Sequence, residues 1–308
     1  MASIKVVVFG ATGNQGSSVV EALANDSKYQ VLALTRSTTS ERVLRLMSKH
    51  PNVKWYEADV NSSSSVANAV ANADVVFAMT QYFAAPKFTA EKETASNEVE
   101  QGQRIIDECI RANVKFLIFS TLPSAAKVSQ GEFTQVKHFE DKYGIQQMME
   151  QKCQEAGIKW AAVQPAVYFQ NIPASARWDE QNALIFGFFG DSDRKLPYID
   201  IERDFGPIVK CMIDQQDQMN GKVIRAVSGY FSPNEVVEAF SAVTGIKASA
   251  IQVPFEFLQD LNLRGMFEFL EKYDMYAETP DACPLALPLA TPKDYWKHCR
   301  FHGPPKKL

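Results

Sequence analysis

The chain has 308 residues, of which 46% are hydrophobic, so it holds enough apolar material for one large domain or for one and a half domains. Its formal net charge of -4 provides no general basic field, which argues against direct binding to nucleic acid or to an anionic membrane. No apolar run approaches the ~20 residues of a membrane-spanning helix, and the N-terminus lacks a signal-peptide pattern.

The first predicted element is a short apolar strand, Ile4 to Phe9, whose β-branched residues are typical of a central parallel strand. It leads into Gly10, Gly13 and Gly16, spaced as G-x-x-G-x-x-G, and then into a helical pattern over Ser17 to Ala24. Glycines at a strand-to-helix turn let the backbone approach a pyrophosphate, whose charge faces the helix N-terminus. The pattern therefore predicts dinucleotide binding, against the alternative of an ordinary turn.

The second predicted strand, Gln30 to Thr35, ends at Arg36. At this place an acidic residue binds the 2′-hydroxyl of NAD, whereas an arginine pairs with the 2′-phosphate of NADP. No carboxylate follows in the sequence until Glu41, so we predict NADP as the cofactor. The alternative is a solvated arginine at a strand end.

The third predicted strand, Val53 to Glu57, is followed by Asp59 and Val60. A strand followed by Asp-Val resembles the segment of short-chain dehydrogenases whose aspartate and next backbone amide meet the adenine ring. The resemblance therefore implies a cofactor contact for Asp59 and Val60.

The fourth predicted strand, Asp74 to Met79, carries Thr80, Gln81 and Tyr82 at its end. Ligands of open parallel sheets lie beyond the carboxyl ends of the strands. We therefore expect these residues on the ribose and nicotinamide side of the cofactor, with Thr80 and Gln81 as the candidates.

After a loop over Phe83 to Thr94, a long helix over Ser96 to Ala112 leads to a fifth strand, Lys115 to Ser120. Five alternations of strand and helix predict the α/β class, with a doubly wound parallel sheet (Rossmann fold) and not a barrel. We place this domain at residues 1–171 and a smaller C-terminal α/β substrate lobe at residues 172–308.

The fifth strand ends at Ser120 and Thr121, which match the serine position of short-chain dehydrogenases. Their Tyr-x-x-x-Lys pair is replaced here by His138 and Lys142, four residues apart and so on one face of a predicted helix. Lys142 is the candidate for a cofactor contact and for catalysis. His138 is the candidate acid, because the pKa of histidine lies near ~6.5; the alternative is a surface or capping residue.

The motifs GATGNQG at Gly10 to Gly16, HFEDK at His138 to Lys142 and PAVYFQN at Pro165 to Asn171 resemble those of the NmrA-like family of atypical short-chain dehydrogenase/reductases. Members of this family are either active reductases or proteins that bind NADP without turning it over. The resemblance implies a set of cofactor contacts, with Phe169 nearby: Gly10, Thr12, Asn14, Gln15, Arg36, Lys142, Tyr168 and Asn171.

In the C-terminal part, Ser232 and Glu235 predict a capping box, with Pro233 at the first helical position. Two helices are expected over Phe255 to Tyr276. Their apolar face is interpreted as core, with a ligand pocket as the alternative; its residues are Phe257, Leu258, Leu261, Leu263, Met266, Phe267, Phe269, Leu270 and Met275. The tail, Pro280 to Leu308, is expected to be mostly irregular, anchored by Tyr295 and Trp296.

The five cysteines are scattered, odd in number and never in C-x-x-C pairs, which is typical of reduced thiols in the cytoplasm or nucleus. We expect no metal site. Two functions remain open: an NADPH-dependent reductase of a small conjugated or aromatic carbonyl or quinone, and an NADPH/NADP redox sensor that regulates a protein partner such as a transcription factor. The expected oligomeric state is a monomer or a homodimer.

Overall fold

The computed structural model describes residues 3–82, 97–279, 281–282 and 287–305, so the loop predicted over Phe83 to Thr94 lies outside the described residues. The strands are β1 (Ile4–Val8), β2 (Tyr29–Thr35), β3 (Lys54–Glu57), β4 (Val75–Ala78), β5 (Phe116–Ser120), β6 (Lys159–Pro165), β7 (Val167–Tyr168), β8 (Ala176–Trp178), β9 (Leu184–Phe189), β10 (Leu196–Ile199), β11 (Lys222–Ala226), β12 (Gly229–Phe231), β13 (Ala248–Val253) and β14 (Asp281–Ala282).

The helices follow the strands in regular alternation through the first half of the chain. They are α1 (Asn14–Ala24), α2 (Glu41–Lys49), α3 (Ser63–Val70), α4 (Glu98–Arg111), α5 (Ala125–Val128), α6 (Lys137–Ala156), α7 (Phe205–Asp214), α8 (Gln216–Met219), α9 (Pro233–Thr244), α10 (Leu261–Lys272) and α11 (Pro292–Cys299). Two short 3-10 helices cover Phe169–Ser175 and Phe255–Phe257.

By their internal packing the residues form two compact units. The first contains Met1–Pro123, His138–Gln164 and Gly206–Ile224, and the second contains Ser124–Lys137, Pro165–Phe205 and Arg225–Leu308. Each unit is therefore assembled from three separate stretches of chain. The boundary predicted between residues 171 and 172 stays a prediction.

One central sheet organises the first unit, with neighbouring strands in the order β11, β6, β5, β4, β1, β2, β3. The pairings of β1 with β2 and β4, of β2 with β3, and of β5 with β4 and β6 are all parallel. Val7, Val76 and Leu117 on the three central strands have no exposed surface, which explains their uninterrupted apolar sequences. The predicted doubly wound α/β fold is confirmed.

Helix α7 packs closely on α1 within the first unit. A Cβ atom on Gly206 would lie 2.0 Å from the carbonyl oxygen of Ser18, and the Gly206 N–H donates to the Ser18 hydroxyl at 2.8 Å. The glycine of the sequence D-F-G-P thus allows two helix backbones to touch.

The second unit contains two three-stranded sheets, ordered β12-β10-β7 and β13-β9-β8. Its core is aromatic: Phe240 lies 5.2 Å from Phe186 and 5.0 Å from Trp296 between ring centroids. The capping box of Ser232 and Glu235 at the start of α9 is present as predicted.

The expected apolar core face over Phe255 to Tyr276 is wrong in part. Phe257 and Leu261 are each 72% exposed, because a 3-10 helix ends at Phe257 and Asp260 caps a new helix, which breaks the single apolar face; Phe269 is fully buried. The described part of the tail contains one helix, α11, which begins at a capping box from Thr291. The expected anchors, Tyr295 and Trp296, lie on this helix and are 2% and 1% exposed.

Candidate functional site

The loop between β1 and α1 contains the three glycines, and packing requires two of them. Gly10 has a φ of 64°, and a Cβ atom on it would lie 2.4 Å from Sδ of Met79. A Cβ atom on Gly16 would lie 2.2 Å from the carbonyl oxygen of Gly10. A side chain at either position would therefore force the loop to move.

Gly13 differs, because a Cβ atom on it meets only the Gly10 carbonyl oxygen, at 3.3 Å. Its N–H donates to that oxygen at 2.8 Å, and its extended backbone makes it the N-cap of α1. With no side chain, it gives no side-chain hydrogen bond to the first turn of the helix. The positive end of α1 therefore has no capping side chain over it, which suits an anion such as a pyrophosphate.

The other predicted residues of this loop differ in exposure. Asn14 is exposed at the first position of α1, and Thr12 is half-buried in the loop. Gln15 is only 7% exposed. The structure thus places all six predicted loop residues in one turn, with Asn14 as the side chain most open to solvent among these three.

Arg36 lies directly after β2, exposed and without an ion pair or hydrogen bond to any described residue. Two residues later, Thr38 donates its N–H at 2.7 Å and its hydroxyl at 2.8 Å to Glu57. The backbone hydrogen bond from Thr38 lowers the pKa of Glu57, so this carboxylate is ionised at neutral pH. Glu41 is the next carboxylate along the sequence, but sheet pairing of Thr35 with Glu57 brings a further carboxylate to this loop from the neighbouring strand.

Asp59 and Val60 lie beyond the end of β3. The Asp59 carboxylate accepts hydrogen bonds from the backbone and side-chain amides of Asn61, at 2.9 and 3.1 Å, and its own N–H donates to Ser65. The carbonyl of Val60 accepts a hydrogen bond from Arg104 at 2.9 Å. These bonds fix a local turn, and the adenine contact stays a prediction.

The neighbouring strands β4 and β5 end with buried hydroxyl groups. Thr80 is 3% exposed and Ser120 is 2% exposed, and neither hydroxyl has a hydrogen-bond partner among the described residues. The register pairs Ala78 with Phe119, so both hydroxyls lie at the carboxyl ends of neighbouring strands, along the same edge of the sheet. A buried hydroxyl without a partner costs about 1–3 kcal/mol, so this edge is suited to bind oxygen or nitrogen atoms of a ligand.

Thr121 and Gln81 behave differently from these two residues. Thr121 is fully buried and donates to Oε1 of Gln146 at 2.9 Å, and the same oxygen accepts a hydrogen bond from Gln164 at 3.0 Å. Gln81 is exposed. Of the two hydroxyls predicted at the end of the fifth strand, only that of Ser120 is therefore without a described partner.

Lys142 on α6 reaches the same edge of the sheet. Its ammonium group forms an ion pair with Oε1 of Glu98 and donates to the carbonyl oxygen of Thr80 at 3.2 Å. The side chains of Lys142 and Glu98 are only 14% and 0% exposed. The predicted lysine is thus held in a fixed place, by a partner that the sequence did not indicate.

His138 lies one helical turn before Lys142 and is 7% exposed, which excludes the alternative of a surface residue. The ring of Tyr82 lies 5.8 Å from the His138 ring, tilted by 54°. Helix α6 has no tyrosine at the position of His138, but Tyr82 brings a phenol to this helix from the residues that follow β4. The catalytic role of His138 stays a prediction.

No group of three or more histidine, cysteine, aspartate or glutamate side chains is arranged to hold a metal ion in the described parts of the chain. Of the helices that the structure describes, none has the length and apolar character to cross a bilayer. The described groups at the candidate site are the start of α1, the hydroxyls of Thr80 and Ser120, Lys142 and His138.

The sequence pattern of the NmrA-like family matches residues 2–287. The chain belongs to the NmrA-like family. This confirms the family identified from the three motifs. An NmrA-like family domain-containing oxidoreductase of Cladobotryum sp., FrzB, is 29% identical over 261 residues, covering 79% of this chain and 74% of FrzB.

Two solved structures share the fold of this NmrA-like chain. NmrA, a negative transcriptional regulator in complex with NADP, has a TM-score of 0.73 at 20% identity, covering 97% of this chain and 91% of its own. The NADPH-dependent quinone oxidoreductase QOR2 of Escherichia coli, in complex with NADPH, has a TM-score of 0.68 at 15% identity, covering 97% and 100%. Both proteins therefore have the same overall fold as this chain.

Three cofactor residues implied by the NmrA-like resemblance lie in the second unit. Tyr168 is half-buried on β7, and Asn171 is exposed in the following 3-10 helix. The Phe169 ring is fully buried and stacked between Tyr198 and Tyr295, with centroids 5.1 and 5.2 Å away. Its side chain therefore belongs to the core of the second unit, and only Tyr168 and Asn171 have exposed surface for a ligand.

The second unit of this NmrA-like protein also contains an open depression of about 510 Å³. Tyr230 and Tyr273 line it together with four carboxylates: Asp191, Asp193, Glu271 and Asp274. The aromatic strand β9 contributes Leu184 and Phe186 to the core of this unit. The depression contains none of the predicted site residues.

Glu98 and Glu57 are two site residues that were not predicted from the sequence. Glu98 stands on a helix far from Lys142 in the chain, and its partner is known only once α4 and α6 are packed. Glu57 was visible as the last residue of the third predicted strand, and the carboxyl ends of parallel strands lie at the same end of a sheet, where Arg36 also lies.

Proposed function

We propose that this chain binds NADP(H) and uses it to reduce a small conjugated or aromatic carbonyl or quinone-type substrate. The observation that carries the proposal is the pair of buried hydroxyls without described partners, Thr80 and Ser120, at the edge of the sheet where Lys142 is fixed. In open parallel sheets this edge is where ligands bind. The oxidoreductase name of FrzB and the NADPH-dependent quinone reduction named for QOR2 support the same reaction class.

The residues of the first unit fit this cofactor in three places. The start of α1 at Gly13 suits the pyrophosphate, because its N–H groups and dipole favour an anion. Arg36, which has no described ion-pair partner, suits the 2′-phosphate. Ser120 and Lys142 suit the hydroxyls of the ribose next to the nicotinamide, or the oxygen of the substrate.

When bound, NADPH supplies a hydride to the substrate carbon. The residues of the chain then have to supply a proton to the substrate oxygen. His138 is the proposed donor, with water as the alternative, and Lys142 keeps a positive charge beside the oxygen that gains electron density. Tyr82, next to His138, is a further hydroxyl close to this place.

A second candidate function is a redox sensor that binds NADP(H) and regulates a protein partner. The absence of a tyrosine four residues before Lys142 favours it, because that residue is the usual proton donor of this enzyme class. NmrA, which shares the fold, is named a negative transcriptional regulator. A sensor needs different affinities for the two redox states, since a ligand shifts an equilibrium only through such a difference.

The deciding experiment measures NADPH oxidation with a panel of quinones, enones and aromatic aldehydes, alongside the affinities for NADPH and NADP⁺. We expect turnover of at least one panel member by the wild type. His138→Phe should lower kcat by about 10²–10⁴-fold with little change in NADPH affinity, because it removes only the proton donor. Glu140→Gln on the same helix is the control and should keep the rate.

Three other outcomes change the conclusion. If His138→Phe keeps the full rate, the proton comes from water or from another group. If the wild type binds NADPH but reduces nothing, and distinguishes NADPH from NADP⁺, the sensor function replaces the enzyme. If the wild type binds neither dinucleotide, both functions are wrong.

A further inference from the structure

The Lys142–Glu98 ion pair joins α6 to α4 close to the carboxyl end of strand β4. The Glu98 side chain has no exposed surface, and that of Lys142 is 14% exposed. A lysine ammonium group has three N–H donors. One serves Glu98, a second serves the carbonyl oxygen of Thr80 at 3.2 Å, and the third has no partner among the described residues.

Glu98 lies at the N-terminal end of its helix. It is the first residue of α4, and the preceding Asn97 makes no side-chain capping bond. The positive end of a helix stabilises an anion in its first turn. The ion pair with Lys142 therefore lies where the helix end favours the carboxylate.

Two fixed acceptors also determine where the lysine points. A free lysine has a flexible four-carbon side chain, and its ammonium group would sample many positions. The Thr80 carbonyl lies on the chain after β4, and Glu98 lies on α4, so the ammonium group is held from two directions. Its remaining N–H is thereby aimed by the protein and not by the ligand.

We propose that Glu98 is the positioning residue of Lys142: it holds the lysine oriented so that one N–H is left for the ribose hydroxyls of NADP(H) or for the substrate oxygen. This role rests on the proposed function, because it concerns the same site. It predicts that Glu98 affects ligand binding only through Lys142. A purely structural ion pair would instead affect folding, with no specific link to the ligand.

A double-mutant cycle separates these roles. It uses the wild type, Glu98→Gln, Lys142→Met and the double variant, each measured for NADPH affinity by fluorescence titration and for thermal unfolding. Glutamine keeps the shape and an acceptor oxygen but removes the charge. We expect Glu98→Gln to weaken NADPH binding about tenfold in the wild-type background, since hydrogen bonds to charged groups are the strong ones.

In the Lys142→Met background, the same Glu98→Gln change should alter NADPH affinity less than about twofold, because no ammonium group is left to position. Glu98→Asp should restore part of the affinity, since it returns the charge with a side chain one methylene shorter. Gly144→Ala, where a Cβ atom meets nothing within 4 Å, is the control on α6.

Two results would overturn the positioning role. One is an equal loss of affinity from Glu98→Gln in both backgrounds, which means that Glu98 acts independently of Lys142. The other is unchanged NADPH affinity in Glu98→Gln, whatever its melting temperature. Either result in a wild type that binds NADPH leaves the proposed function standing, whereas a wild type that binds no NADPH overturns the function and this role together.

Discussion

Arg36 and Lys142 are the two cations predicted to meet the cofactor, yet the protein holds them in opposite ways. Arg36 is exposed, and no described residue forms an ion pair with it. Lys142 has a side chain only 14% exposed and is paired with the fully buried Glu98. We call the surroundings of Gly13, Asn14 and Arg36 the open region, and those of Thr80, Ser120 and Lys142 the buried region.

Because of this difference, we expect the open region to contribute mainly to ligand affinity and the buried region to fix the positions of the groups that meet the ligand. Groups in the open region contribute little to folding, so their contacts with a ligand are available as binding energy. Groups in the buried region are already fixed by the fold, so a ligand that meets them does not have to order them. Substitutions in the open region should therefore change affinity alone, whereas those in the buried region should also change stability.

The largest expected effect is the loss of dinucleotide binding in Gly13→Val. A valine fills the space over the first turn of α1, and blocking even two charge-assisted hydrogen bonds of about 1.5–3 kcal/mol each weakens binding at least 100-fold. Folding should survive, because a Cβ atom at Gly13 meets only one atom, at 3.3 Å. Titration with NADPH and NADH, with circular dichroism, checks both points.

The matched variant for this prediction is Gly16→Val. Its Cβ atom would lie 2.2 Å from the Gly10 carbonyl oxygen, so the fold itself should fail. Retained binding of either dinucleotide by a folded Gly13→Val protein would contradict the assignment of the open region to the pyrophosphate.

The next effect is on stability, in the buried region. Lys142→Ala leaves the Glu98 carboxylate buried without its cation, and breaking a buried pair typically costs about 3–5 kcal/mol. Urea unfolding measures the change. Lys137→Ala, at an exposed position of the same helix, should stay within about 0.5 kcal/mol of the wild type. Similar stabilities for the two variants would contradict the contrast between the regions.

Arg36→Ala should have a smaller effect, and on affinity alone. Loss of its charged hydrogen bonds to a 2′-phosphate would weaken NADPH binding by about 1.5–3 kcal/mol, leaving NADH binding and the free energy of unfolding nearly unchanged. Isothermal titration with both cofactors gives the two affinities. Arg42→Ala, an exposed arginine on α2, is the control, and equal losses for NADPH and NADH would refute the role of Arg36.

The smallest expected effect concerns Glu57. Glu57→Gln keeps an acceptor for Thr38 but removes a negative charge beside the loop that follows Arg36. We expect NADPH affinity to rise about two- to threefold at low salt and the gain to shrink as salt is added, because exposed charges are screened. A decrease in NADPH affinity would mean that the charge of Glu57 supports the loop more than it repels the phosphate.

The open region was largely predictable from the sequence, whereas the buried region was not. Gly13 lies in the short connection from β1 to α1, Asn14 begins α1, and Arg36 follows β2 directly, so their places depend on local chain direction alone. The Lys142–Glu98 pair depends on how α4 and α6 pack, and no local pattern encodes that packing.

The same distinction holds for the fold. Strand alternation and the capping box at Ser232 are local and were predicted correctly. The exposure of Phe257 was not, because an apolar residue at a helical spacing gives no sign that a 3-10 helix will end there. Likewise, the choice between the Ser120 and Thr121 hydroxyls required the position of Gln146 on another helix.

The separate stretch Gly206–Ile224 has a consequence for how the protein is made. It supplies α7 and most of β11, which borders β6 in the central sheet. During synthesis β6 leaves the ribosome well before β11, so the outer edge of this apolar strand stays unpaired while the intervening segment is translated. That nascent chain exposes a sheet edge open to wrong pairing, and we expect chaperones that shield apolar strands to raise the yield of folded protein.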